Sequence, residues 1–519
     1  MKKIGAVLFF ALFSMIFSFS GFAFVIGDVN SDNKINLTEA INALQVTSGV
    51  RTAAAASATI NVPADVPTIQ QAIDAAKSGD IINVAAGTYT GALTINNKAV
   101  TIHGAGKTAT TLSAASGADI LTIDGCGCGV VVVSGVTLQG GQNGILARRG
   151  AVVEVTDVVV QSASAKGIVI DENATARLNN VTVQACGDNG IQASRNSSIS
   201  FYGTIVSSNN LAADGTGDGI AIKESSSALF SSATVTAYGN GCRGISIRDN
   251  SALRSDGSSI TVQYGGNCNN NGAGIHATNG SSINLQNSSS LLSDHNGYDG
   301  VRLGYNASFN LDSTCTMIVR NNGRRGLSIW GGADVELSGT VTVGANAEHG
   351  VDLQEGSHLM IYGGTTDIAN NVDLGIRMLQ STLKVEGPGK LTVSGTTGAG
   401  DGIALQSQSS LWVSGSLVVQ NNKGSQGSQG YGIGISNASQ VTLYPQSPNT
   451  VVIRDNDFGI GAGDGSGITL GSSVTIMNNN NTKDIILAFG SRAALSTSIW
   501  GTIKCDETCI ASGVTCPVP

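Results

Sequence analysis

The sequence predicts an all-β solenoid of parallel coils, carrying one short loop-helix at its front end. Three observations point to the solenoid. First, glycine followed by an aliphatic residue recurs down the chain, at Gly144, Gly167, Gly190, Gly219, Gly244, Gly274, Gly300, Gly326, Gly350, Gly375, Gly402, Gly432 and Gly459. The steps run from 23 residues (Gly144 to Gly167) to 30 (Gly402 to Gly432). Second, most of these glycines open an alternating stretch, as in GISIRDNSAL, GVDLQEGSHL and GIRMLQSTLKV. Third, 69 Gly against 7 Pro, with 12% charged and 5% aromatic residues, could mean disorder, but Val, Ile and Leu recur too regularly for that, and a repeat fold escapes the usual size ceiling of one domain.

A single coil of short strands cannot bury its inward side chains. Stacking equivalent strands of successive coils buries them and satisfies their backbone groups. The marked coils, thirteen in number, at roughly 4.8 Å each make a rod on the order of 60 Å long. Glycine before each strand suits a tight corner. About seven residues further on stands Ser or Ala, then a second alternating strand such as Leu383-Lys384-Val385. The Asn runs at 269–271 and 478–481 suit ladders of stacked amides in turns. A leucine-rich repeat would need a fixed L-x-x-L-x-L register, and a propeller a longer period with aromatic marks. Neither is present.

The front end is organised differently. Lys2 and Lys3 precede an apolar run from Ala6, with small Gly21 and Ala23 before Phe24. This pattern predicts a signal peptide over 1–23 and a secreted, cell-surface or periplasmic protein. After cleavage no segment is expected to span a membrane. A net charge of −8 and a pI near 5.1 argue against nucleic acid, whose phosphates require a basic surface. Nine cysteines suit an oxidising compartment, and an odd count cannot all pair within one chain. Cys505, Cys509 and Cys516 cluster at the end, where a terminal disulfide is expected.

In GDVNSDNKINLTEAINALQ, Asp28, Asn30, Asp32, Lys34, Asn36 and Glu39 occupy positions one, three, five, seven, nine and twelve of an EF-hand-like loop. That spacing wraps oxygens around one Ca2+, Lys34 through its carbonyl and Glu39 with both oxygens. Asn33 stands at position six, where glycine is usual; Asn tolerates the left-handed backbone better than most residues. The stretch resembles one half of a dockerin module, which carries two such halves. The resemblance implies calcium as a cofactor and a cohesin-like docking partner. The expected organisation is this module over 24–52, a linker at 53–58, the solenoid over 59–500 and a Cys-containing tail at 501–519.

The solenoid opens with VPADVPTIQQAIDAAKSGDIINVAAGTYTG, in which Ile69, Ala72, Ile73 and Ala76 mark one amphipathic helix. Strands follow at 81–85 and 99–103. With INNKAVTIHGAG after it, this segment resembles the N-terminal cap and first coil of right-handed parallel β-helix proteins with a pectin-lyase-like fold. The resemblance covers roughly 60–500 and implies right-handed winding, three sheets per coil, and action on or binding of polysaccharide. The hydrolase motifs of that fold are missing: Asp-Asp, Gly-His-Gly, Arg-Ile-Lys and Gln-Asp-Thr do not occur, and Glu348-His349-Gly350 is a poor relative. The looser lyase pattern of acids with an Arg or Lys base stays open.

Residues at one offset from successive glycines stack on one face. Two past the glycine the row reads His276, Arg302, Ser328, Asp352 and Arg377, all expected to point outward. Just before it stand Tyr298, Asp299, Arg324, Arg325, Glu348, His349 and Asp373, and Trp330 lies four past its own glycine. Arg302, Arg325 and Arg377 suit bidentate capture of carboxylates or sulfates. Tyr298 and Trp330 suit sugar rings. A polysaccharide or cell-surface glycan is the partner this cluster fits. The competing reading is a solvated charge ladder on an adhesin-like rod, its Arg and Asp pairing between neighbouring strands. A second patch, Asp218, Lys223, Glu224, Arg243, Arg248 and Asp249, shows that charge alone is not distinctive. His103, His295 and His358 are read as incidental.

Overall fold

The computed structural model describes residues 57–125, 129–211, 217–268, 272–398, 400–424, 430–479, 483–495, 499–500, 502–505 and 507–512. The signal segment, the calcium loop with its helix, and the Asn run at 269–271 lie outside them. The chain divides after Ser57 into two units.

The unit from Ala58 onward is a parallel β-solenoid. Each coil contributes strands to three ladders, as in Leu327–Ile329, Asp334–Leu337 and Thr340–Gly344. The next coil repeats them as Val351–Gln354, His358–Tyr362 and Thr365–Ala369. The first sheet collects the strands that follow the marked glycines, in parallel register Val301↔Leu327↔Val351↔Ile376. The second runs through Val335↔Leu359↔Leu383, and the third through Val341↔Thr366↔Leu391. In Val152–Gln161, Thr175–Gln184 and Ser198–Ser208 the second and third sheets share one long strand, bent at the left-handed Asp157 (φ 53°), Asn180 (φ 54°) and Gly203 (φ 59°). Ladders continue through Ile503–Cys505 and Ile510–Ser512.

Alternation explains the core. Leu327, Ile329, Val335, Leu337, Val341 and Val343 all point in and are buried. The helix Ile69–Ala75 forms where expected, with Thr68 accepting from the Gln71 N–H as its cap. Its buried Ile69, Ala72 and Ile73 close the first coils, against Thr59–Val62, Ile81–Val84 and Leu93–Asn96.

Polar ladders seal two of the corners. Between the first and second sheets, the Ser226, Ser251 and Ser281 hydroxyls accept from the backbone N–H of Ser197, Ser226 and Ser251 at 3.0, 3.1 and 3.3 Å. Between the third and first sheets runs a buried amide ladder, Asn296 to Asn322 to Asn346 to Asn371, with Nδ2···Oδ1 distances of 3.0, 2.9 and 2.9 Å. The ladder therefore uses mostly one Asn per coil. Of the run at 478–481, Asn478 is the left-handed corner residue (φ 57°) and Asn479 joins the ladder.

The marked glycines are needed for a reason other than a strained corner. None has a positive φ; instead, a Cβ on Gly326 would lie 2.3 Å from Val343 Cγ1 and 2.6 Å from the Gly350 carbonyl oxygen. Close approach selects them.

Candidate functional site on the first sheet

The first sheet treats its outward residues differently from the other two. Ser246, Ser328 and Asp352 point away from the core yet are 0%, 2% and 1% exposed. Outward Trp412 on the second sheet and Ile318 on the third are 43% and 40% exposed. Arginines of the middle row itself, Arg302 and Arg377, and of the row before the glycine, Arg325, fold across the middle row of the first sheet. The Arg302 guanidinium lies 5.7 Å from the Tyr298 ring centre and 5.6 Å from that of Trp330.

All nine predicted ligand residues come together over four neighbouring coils. Asp299 is buried, accepts from the Arg325 backbone N–H at 3.3 Å, and has Arg302 Nε 4.0 Å away. Burial pushes its carboxyl up to about 6, against the opposing pull of Arg325, Arg302 and Arg324. Arg325 Nε stands 2.9 Å from Asp352, and Arg377 binds the same carboxylate at 2.8 and 3.2 Å. Gln354 also donates to it, at 2.6 Å. Arg324 donates to Glu348 at 2.8 Å and to the Tyr298 hydroxyl. His349 Nδ1 sits 3.2 Å from Asp373, and burial is the main cause that lowers its pKa.

Two expectations need correction. The charges do pair along the ladder, and its edge acids Glu348 and Asp373 are solvated, but Asp299 and Asp352 are sequestered beneath their arginines. The aromatic rings are not open faces either. Arg302 and Arg324 occupy Tyr298, while Tyr305 packs edge-on against Trp330 at 4.2 Å. Trp330 in turn covers Gly304, where any Cβ would lie 2.4 Å from the indole.

Sequence reasoning missed Asp401. It stands one residue before Gly402, in the same row as Asp299, Arg325 and His349. Its Oδ1 accepts the Tyr431 N–H at 2.9 Å, and burial pushes the carboxyl up to about 7, with Asp373 adding to the shift. Following the offset one coil further would have found it.

Chemically, the row offers forked donors for oxyanions and a carboxyl poised to exchange protons near neutrality. Among the described residues, no group of three or more His, Cys, Asp or Glu is arranged to hold a metal ion, and no helix is long and apolar enough to cross a membrane.

Stacked coils with three parallel sheets define a β-helix. Residues 119–290 match the family described as "Right handed beta helix region", which gives the winding its hand. No curated protein is significantly similar to the chain. Similar solved structures include the A-module of mannuronan C-5 epimerase AlgE4 from Azotobacter vinelandii, at 16% identity over 67% of this chain and 90% of that one, with a TM-score of 0.34. Alginate lyase from Paenibacillus sp. str. FPU-7 aligns at 15% identity over 63% of this chain and 94% of that one, TM-score 0.31. The Vag8–C1 inhibitor complex aligns at 13% identity over 84% and 93%, TM-score 0.36.

Proposed function

We propose that this chain is a secreted polysaccharide-binding β-helix, with an acidic glycan laid along the first sheet. The observation that carries the reading is the sequestration of charge there. Burying charged side chains costs free energy unless they are paired or used. The two most deeply buried acids among the described residues, Asp299 and Asp352 at 0% and 1% exposure, lie with their arginines on the outer face of one sheet. Arg302, Arg325 and Arg377 would hold carboxylate or sulfate groups, with Tyr298, Trp330, His349, Asp352 and Asp373 shaping the groove. Cleavage is a further part of the reading: Asp299, pushed up to about 6 by burial and 4.0 Å from Arg302 Nε, is its candidate acid once a ligand draws the covering arginines away.

The second reading, a non-catalytic surface rod, is favoured by the Arg325–Asp352–Arg377 chain of ion pairs, which a purely structural ladder would also form. The experiment is pull-down and turnover by the mature protein across neutral and uronic-acid polysaccharides, with calcium and with chelator. Binding lost on Arg302→Ala supports the groove. New chain ends lost on Asp299→Asn make it an enzyme. No binding to any glycan leaves the rod.

At the front end, the proposal is export, then calcium held by Asp28, Asn30, Asp32, Lys34, Asn36 and Glu39, ordering a helix for a cohesin-like domain. The Cys242–Cys268 disulfide (Cα–Cα 5.1 Å) suits the oxidising compartment that export implies. An N-terminus at Phe24 and calcium uptake lost in Glu39→Gln are the expected results. A mature chain still beginning at Met1, or calcium uptake unchanged in Glu39→Gln, refutes the corresponding half.

A further inference from the structure

Upstream on the same sheet, a cleft of about 420 Å3 opens over Ile191–Ala193, Ile220–Ile222 and Arg243–Arg248. Its charged lining is Lys166, Asp188, Asp218, Lys223, Arg243 and Arg248. Four cations thus face two carboxylates, in a chain whose net charge is −8. One of those carboxylates is already engaged, since Lys166 holds Asp188 at 2.6 Å, and at the rim Lys223 has Glu224 at 3.5 Å.

That leaves Asp218 between two guanidiniums. Arg243 Nη1 and Arg248 Nη2 each stand 3.6 Å from one of its oxygens, too far for a good hydrogen bond. Both Nε atoms are buried without a hydrogen-bond partner. Arg243 itself is buried, and its backbone is pinned by the adjacent Cys242–Cys268 disulfide on the cleft wall. His276 beside them contributes no compensating charge. Burial, with Arg243, Arg302 and Arg248 nearby, holds its pKa well below the ordinary value, and its Nδ1 is also unpartnered. One buried guanidinium and two buried, unpartnered Nε donors are an expensive arrangement unless an anion completes them.

We propose that this cleft binds an oxyanion, a sulfate ester or a carboxylate, between Arg243 and Arg248, with Lys223 at its rim. The cleft adjoins the Asp299 cluster, since His276 is the ladder neighbour of Arg302, but the proposal rests on Arg243, Arg248 and Asp218 and does not depend on the glycan reading.

The test is titration of the intact protein with sodium sulfate and, in a separate arm, sodium glucuronate, each against sodium chloride at matched ionic strength, followed by calorimetry and thermal midpoint. Saturable binding above the chloride reference is expected in at least one arm, and the arm that saturates identifies the group. Arg243→Gln strips a buried carboxylate of a partner and risks misfolding, so the more exposed Arg248→Gln and Lys223→Gln carry the test. Arg248→Gln should weaken binding at least tenfold, while Lys384→Gln, on the exposed face of the second sheet, leaves it unchanged. No saturation above chloride in either arm overturns the proposal, as does full affinity in Arg248→Gln. Loss of glycan binding with anion binding intact would count against the groove alone.

Discussion

Arg377 grips Asp352 from the following coil, Nε to Oδ1 at 2.8 Å and Nη2 to Oδ2 at 3.2 Å, while Arg325 reaches the same carboxylate from the preceding coil at 2.9 Å. One buried acid thus ties three coils together. Removing Arg377 leaves Asp352 with Arg325 and Gln354, so Arg377→Ala should cost about 1–3 kcal/mol. Asp352→Ala leaves two cations facing each other without their shared anion and should cost more, about 3–5 kcal/mol. Urea midpoints of the two variants check this order. Equal, negligible losses would mean that the pairing is decorative.

Asp401 sets a pH dependence whose sign follows from its environment. The folded carboxyl titrates at about 7 and the unfolded one near 3.8, so across that window the native state holds a proton the unfolded state has released. Stability from this group therefore falls as pH rises from about 3.8 to about 7, and is flat on either side. Asp299 contributes in the same direction, up to about 6. Asp401→Asn retains an acceptor for the Tyr431 N–H and removes the charge. It should raise the thermal midpoint above the window and leave it nearly unchanged below. A variant with the same pH profile as the parent would refute the assignment.

Asn346 is the middle rung of the amide ladder. Its Oδ1 accepts from Asn322 N and Nδ2 at 3.1 and 2.9 Å, and its Nδ2 donates to Asn371 at 2.9 Å. Asn346→Ala strands two buried donors on Asn322, each worth about 1–3 kcal/mol when unsatisfied. Hydrogen exchange should quicken first in the corners on either side, before the sheets lose protection. Uniform protection across the solenoid would show that the ladder carries no local stability.

Much of this architecture is legible in one dimension because a solenoid repeats. The offset from each glycine fixes which side chains share a row, so the Tyr298 to Arg377 cluster could be assembled from spacing alone. Burial could not. Whether Asp352 meets water depends on how arginines from adjacent coils lie across it, which no single coil encodes. The Asn runs misdirected attention, because the ladder residue is single and its left-handed neighbour is often Asn as well, as in Asn321-Asn322 (φ 54° at Asn321). The disulfide had a usable signal. Cys242 and Cys268 are 26 residues apart, one coil in length, which stacks them side by side.

The corner glycines offer the sharpest test of close packing. At Gly326 an added methyl would meet Val343 Cγ1 at 2.3 Å, the Gly350 carbonyl oxygen at 2.6 Å and Asn346 Nδ2 at 2.8 Å. Gly326→Ala should then destabilise by about 1–3 kcal/mol through overpacking, although alanine disturbs neither the backbone angle nor the strand. Trimming the side-chain obstacle with Val343→Ala in the same chain should recover only part of the loss. The Gly350 carbonyl belongs to the next coil's backbone and cannot withdraw without stretching the ladder. Full recovery in the double variant would place the whole constraint on Val343, and no loss in Gly326→Ala would return the glycine's role to corner flexibility.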